Sequence, residues 1–324
     1  MMKYGKVPGV EEPVSRIGQG LMMVSTDKQD WTNELLDGVF ELGINVFDSS
    51  HIYGGGDCDR AFGRWVRSRG IREKVVMLDK CAHHNAERRR VTPADITEDL
   101  HVCLDHLAFD CIDLFVMHRD DPSVPVGPIV EVMNEHIRSG RIQAYGGSNW
   151  SHRRVADANE YAEQHGLVPF AVSSPNFSLA EMIAEPWGEC ASISGPENAD
   201  ARKWYAEHDV ALFPWSSLAR GFFSGQWDRT KMENATPEQQ EEIAVRCFRS
   251  ADNLKRLDRC WELAKEKGLT VPQIATAYVM SYPLNIFALI GVYKQEEARQ
   301  NVEAMDVQLT EQEMAWLDLR RDER

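Results

Sequence analysis

Eight short β-branched or apolar runs recur along the chain, separated by segments with helical periodicity, and no other feature narrows the fold so far. The runs are "RIGQGLM" (16–22), "INVFD" (44–48), "VVMLDK" (75–80), "IDLFVMH" (112–118), "IQAYGGS" (142–148), "PFAVS" (169–173), "VALFPW" (210–215) and "IFALIG" (286–291). Helix-period segments between them include "WTNELLDGVFELG" (31–43), "TPADITEDLHVCLDHL" (92–107), "VGPIVEVMNEHIRSG" (126–140) and "NLKRLDRCWELAKEKG" (253–268). Thr92 then Pro93 marks a helix start, and Gly43, Gly140 and Gly268 mark ends. Strands alternating with helices argue for a parallel sheet, and eight is the number that closes a barrel. The expected fold is therefore α/β, a (β/α)8 TIM barrel spanning residues 1–324 as a single domain, with a short N-terminal hairpin. No stretch rich in Pro, Gly or Ser divides the 324 residues. Two long excursions are expected after strands six and seven. They are "PWGECASISGPENAD" (186–200) and the region 216–285, which must hold a loop, including 224–251, besides two helices. Loops of such length in a compact domain are usually functional.

Polar residues collect where the runs end: Asp48 with Tyr53 after the second, Lys80 after the third, His118 after the fourth, Ser148 and Asn149 after the fifth. In a barrel these ends converge on one rim, where loops following the strands build the active site. The set has a chemical logic. A free phenol titrates near 10, and an adjacent ammonium stabilises the phenolate, so Lys80 is expected to lower the Tyr53 pKa. Asp48 would hold the ammonium charged and oriented. A neutral His118 would hydrogen-bond a substrate oxygen, which suits protonation of a carbonyl as hydride reaches its carbon.

Several motifs in register carry a resemblance that covers nearly the whole chain. "VSRIGQG", "FDSSHIYGGG", "LDKC", "DLFVMHRDD", "YGGSNW", "FPWSSLARGFFSG" and "LIGVYKQEEARQNVEA" follow in an order that resembles the aldo-keto reductase superfamily. That resemblance implies Tyr53 as proton donor to a carbonyl, Lys80 and Asp48 tuning it, and His118 orienting the substrate oxygen. It implies NADPH or NADH as cofactor. Ser148 and Asn149 would hold the nicotinamide carboxamide, with Ser174 standing where the family often has Gln, and Trp215 would stack on the ring. Ser216, Ser217, Leu218, Arg220 and Gly221 would line the pyrophosphate. Gly291, Tyr293, Lys294, Glu297 and Asn301 would meet the adenosine end. Relatives that hold a 2′-phosphate commonly carry Arg, Lys or Gln where Tyr293 and Glu297 stand, and Lys294 is the only cation in 291–298. A carboxylate repels a 2′-phosphate and accepts from ribose hydroxyls, while the family as a whole leans to NADPH. Trp31, Trp150, Phe177, Trp187 and Phe222 are candidate walls of a substrate pocket for a small carbonyl compound or sugar.

Composition closes other routes. With 36 basic and 51 acidic residues the net charge is -15, unsuited to nucleic acid or anionic membrane. The first residues have no apolar core of signal length, and no apolar run approaches the roughly 20 residues of a membrane span, so a cytoplasmic location is expected. The seven cysteines lack a CxxC pair and read as reduced packing residues. "GGG" (54–56) lacks the lysine and hydroxyl of a phosphate loop, opens no matching helix and reads as a turn that aims Tyr53. His83, His84, His101 and His106 show no HxH or HExxH spacing, so no metal is expected. Two rival functions stand beside the oxidoreductase: a non-catalytic cofactor-binding regulatory subunit, and a metal-dependent barrel hydrolase or isomerase.

Overall fold

The computed structural model describes residues 1–324, and each of the eight runs overlaps a strand of one parallel sheet. The strands are β1 (Ile17–Gly20), β2 (Val46–Asp48), β3 (Val76–Cys81), β4 (Ile112–Met117), β5 (Ile142–Ser148), β6 (Val172–Ser174), β7 (Ala211–Leu212) and β8 (Ala288–Ile290). Neighbours pair in sequence order, β8 pairs with β1, and a parallel bridge from Leu212 to Ile286 joins the remaining edges into a barrel. Phe213 and Phe287 stack beside that seam, ring centroids 4.8 Å apart.

Two residues at the amino end, Tyr4–Gly5, pair antiparallel with Val14–Ser15. This hairpin packs Val7 and Val14 onto Val46, Val76, Leu114 and Ala144, the inward residues of the strands, and so stops one end of the barrel. The larger apolar core lies outside the sheet, between strands and helices.

The helices are α1 (Gln29–Glu41), α2 (Asp57–Arg69), α3 (Pro93–Leu107), α4 (Val126–Arg138), α5 (His152–Gln164), α6 (Ala199–His208), α7 (Arg229–Glu233), α8 (Pro237–Gln240), α9 (Ile243–Phe248), α10 (Ala251–Lys267), α11 (Val271–Met280), α12 (Gln295–Ala304) and α13 (Glu311–Leu317). Thr92 caps α3 by accepting from the Asp95 amide, with Pro93 in the first turn, and Gly268 ends α10 in the left-handed region. Two expectations need correction. The region 216–285 holds three short helices, α7 to α9, besides the two long ones, because Asp228 and Thr236 cap the first two of them. The glycines do open a helix: α2 begins directly after Gly56 and buries Cys58, Ala61, Phe62, Trp65 and Val66, a stripe at helical spacing. No helix is long and apolar enough to cross a membrane.

Candidate active site

Side chains alternate across a strand, and that period sorts the site. Val46, Leu78, Leu114 and Val116 face the barrel interior, while Phe47, Met77, Phe115 and Met117 face the helices. Continuing each phase by one step turns Asp48, Lys80 and His118 inward at the same rim.

There the Lys80 ammonium donates to Asp48 Oδ1 at 2.5 Å and to the Ser49 carbonyl oxygen at 2.7 Å. All three residues are buried. Burial works against the Lys80 charge, but the Asp48 carboxylate and Tyr53 oxygen outweigh it and raise its pKa. Burial also raises the Asp48 carboxyl, with Lys80 pulling against it. Tyr53 follows in a tight turn whose next residues, Gly54, Gly55 and Gly56, all have positive φ, and a Cβ at Gly56 would fall 2.1 Å from the His106 ring. Its ring lies 5.2 Å from the Lys80 Nζ and 5.8 Å from the His118 ring, edge to face. The expected fall in the phenol pKa is not what the site produces. Burial pushes Tyr53 above its ordinary value, and Lys80 and Arg220 only partly oppose it. The phenol is thus a held proton, stored as O–H.

His118 is driven well below its ordinary value by burial and by Lys80, so it is neutral. The Ser50 hydroxyl lies 3.1 Å from its Nδ1 and 3.3 Å from the Lys80 carbonyl oxygen, which His51 Nδ1 also meets at 2.7 Å. Sequence reading passed over Ser50 and His51, although both lie inside "FDSSHIY", because only the charged residue and the phenol of that stretch carry an obvious role. His83 was weighed only as a metal ligand. Its ring lies 4.9 Å from that of His118, whereas His106 pairs with Arg60 elsewhere.

The outward phase of β3 has its own consequence. Asp79 is fully buried against α2 and α3, and so is Asp59 of α2, which accepts from the Ser49 hydroxyl. Each retains a carboxylate oxygen, Oδ2, with no hydrogen-bond partner. Burial and the Asp79 charge push the Asp59 carboxyl up to about 8. Unfolded, it would titrate near 4. Folding therefore takes up a proton between those values, and stability falls as pH rises through that window. Asp59→Asn removes this contribution: its melting temperature relative to the parent is expected to be higher at pH 8 than at pH 5, by on the order of a few degrees, in thermal unfolding. An equal offset at both pH values refutes this.

The cofactor candidates fall into three groups along the rim. Ser148 donates to the Ser174 carbonyl oxygen at 2.9 Å, and Ser174 donates to that of Phe213 at 2.7 Å. Asn149, at positive φ, donates to the His118 carbonyl oxygen at 3.3 Å and accepts from Ala191. Trp215 keeps a buried indole N–H without a partner, and Ser216, Ala219, Arg220 and Gly221 all have positive φ, so the backbone from Ser216 through Ser217 and Leu218 to Gly221 winds tightly beside it. Trp187 is 39% exposed and stands edge-on to Trp215 at 5.8 Å, with the Arg220 guanidinium 5.2 Å from its ring. Arg119, next to His118, holds that loop by donating to the Gly188 carbonyl oxygen at 3.0 Å. Beyond Gly291 and Lys294, Glu297 accepts from the Tyr293 amide at 2.8 Å, and Tyr293 packs on Trp31. Asn301 is spent inside the fold, accepting from Thr276 at 2.8 Å and donating to the Glu297 carbonyl oxygen at 2.8 Å.

The proposed pocket walls divide. Trp187 lies at the site, and Trp31 belongs with Tyr293. Trp150, Phe177 and Phe222 are 1%, 1% and 0% exposed and are packing residues, not walls. Trp150 still serves the rim, since its indole donates to the Arg119 carbonyl oxygen at 3.1 Å. The reason is plain: an aromatic side chain reads the same in sequence whether it fills a core or lines an opening.

A model of the Aldo/keto reductase family matches residues 16–319. The chain is 27% identical over 296 residues to norsolorinic acid reductase of Aspergillus flavus, covering 88% of this chain and 70% of that one. It is 25% identical over 270 residues to a probable voltage-gated potassium channel subunit beta of Arabidopsis thaliana, covering 82% and 79%. In structure it resembles the glycerol dehydrogenase of Gluconobacter oxydans with a TM-score of 0.75 at 20% identity, covering 97% and 93%.

Proposed function

The chain belongs to the aldo/keto reductase family, and from that premise we propose that it is a nicotinamide-dependent oxidoreductase interconverting an aldehyde, ketone or sugar carbonyl with its alcohol. One observation carries the reading: a buried Lys80–Asp48 pair stands beneath Tyr53, beside a neutral His118, at the open rim of the barrel. A bound nicotinamide would supply the hydride that reaches the carbonyl carbon. The Tyr53 O–H gives its proton to the oxygen, Lys80 balances the negative charge left on the phenol, and His118 holds the oxygen in line. In the oxidative direction Tyr53 receives that proton.

The residues present fit the cofactor. The unpartnered Trp215 indole N–H and the tight backbone over 216–221 supply donors for its central part, with Ser148 and Asn149 at the carboxamide end. At the adenosine end the Glu297 carboxylate is fixed on the Tyr293 amide, a position suited to ribose hydroxyls and hostile to a 2′-phosphate. We read this position as favouring NADH over the NADPH to which the family leans. Titration of tryptophan fluorescence is expected to give the lower Kd for NADH; tighter NADPH would refute the preference. Chelator treatment is expected to leave turnover unchanged, and its loss would instead favour a metal-dependent barrel enzyme.

The potassium-channel relative supports a second reading, that of a cofactor-holding subunit of a larger assembly. Cofactor binding with no turnover of any carbonyl would favour it.

A further inference from the structure

We propose that His83 is a substrate-binding residue that reads a hydroxyl group next to the reacting carbonyl, so that the preferred substrates are α-hydroxy aldehydes and ketones. The inference rests on the oxidoreductase reading above and names its substrate class.

His83 is placed by the chain, not by chance of rotamer. Ala82 turns the backbone at φ 59°, and its amide is held by Asp99 Oδ2 at 2.8 Å, while Asp99 is held in turn by Arg90 at 2.5 Å. The turn brings the His83 ring to 4.9 Å from the His118 ring at 70°, beside the group that meets the carbonyl. His83 Nδ1 lies 2.8 Å from the His84 carbonyl oxygen. A carbonyl only accepts, so Nδ1 carries the proton and Nε2 presents a lone pair. Burial lowers the His83 pKa and outweighs the hydrogen bond to the His84 carbonyl, which raises it, with the charges of His84, Arg119 and His51 adding to the fall, and this keeps that lone pair free of a proton.

The two imidazoles are complementary. His118 can donate to a carbonyl oxygen only with its proton on Nε2, and in that tautomer the Ser50 hydroxyl, 3.1 Å from Nδ1, donates to His118 and leaves the Lys80 carbonyl oxygen to His51 Nδ1 at 2.7 Å. His83 Nε2 accepts. A donor beside an acceptor matches a carbonyl oxygen beside a hydroxyl, and a substrate lacking the hydroxyl leaves the His83 lone pair unsatisfied.

The test compares glyceraldehyde with propionaldehyde, both rated per free aldehyde, in the parent and in His83→Phe and His83→Gln. The parent is expected to favour glyceraldehyde in kcat/KM. His83→Phe keeps the ring and removes the acceptor, and it should lose about tenfold on glyceraldehyde, the worth of one neutral hydrogen bond, with propionaldehyde within twofold. His83→Gln, which restores an acceptor oxygen, should recover part of that loss. Equal losses on both aldehydes, or a parent that prefers propionaldehyde, would overturn this inference alone. A parent that reduces other carbonyls but not glyceraldehyde would also overturn this inference alone, whereas one that binds nicotinamide and turns over no carbonyl would overturn the oxidoreductase reading with it.

Discussion

Tyr53→Phe is expected to cut turnover by about 10²- to 10⁴-fold, the usual contribution of a positioned general acid, with cofactor affinity near that of the parent. The change removes one oxygen and keeps the ring that stands edge-on to His118. The tight turn around Tyr53 is built by backbone and not by the phenol oxygen, Tyr53 N–H donating to the Ser50 carbonyl oxygen at 2.8 Å. The loss should therefore appear in kcat and kcat/KM together, as it does when an interaction made only in the transition state is removed. Steady-state kinetics with any reducible carbonyl, paired with the fluorescence titration, decides it. Turnover within tenfold of the parent would mean that the proton comes from elsewhere.

Lys80→Met is expected to damage both chemistry and stability. It removes the cation that balances the phenolate, and it leaves Asp48, only 8% exposed, facing an apolar chain. Breaking a buried pair from one side costs about 3–5 kcal/mol, because the remaining charge is stranded. In thermal unfolding that is a fall of roughly 5 to 15 °C. The double variant Lys80→Met with Asp48→Asn removes the stranded charge, and it should recover much of the stability while remaining inactive. A single variant that melts with the parent would show that Asp48 simply takes up a proton. That outcome would remove the ion pair from the account of the site.

Much of this arrangement was legible before any coordinates. The eight strands declare themselves because each is an apolar run with a polar end, and the rim follows from the barrel's closure. Helix α2 was missed, although Cys58, Ala61, Phe62, Trp65 and Val66 repeat at helical spacing; the three glycines ahead of it read as a loop and drew attention from the pattern behind them. The Asp59 and Asp79 carboxyls were invisible for a different reason. Only after Lys80 fixes the phase of β3 does Asp79 acquire a direction, and nothing local says that Asp59 lies opposite. The phenol's shift had the wrong sign in the sequence reading because a neighbouring charge can be inferred from spacing, whereas the depth at which it sits cannot. Trp150, Phe177 and Phe222 failed as pocket walls on the same ground.

Strand β3 also makes a partition. Its backbone is one peptide thick, yet Lys80 and Asp79, adjacent in sequence, face opposite sides of it, one towards the barrel mouth and the other beneath α2 and α3, close enough that each charge still favours the other. An insertion of a single residue upstream in this strand would exchange their faces, putting Asp79 where Lys80 stands beside Tyr53 and driving an ammonium among the helices. Point changes at Asp79 leave the mouth's inventory of charge intact. Substitution at Asp79 thus changes no residue at the mouth, whereas a change of length in β3 rewrites both faces of the wall at once.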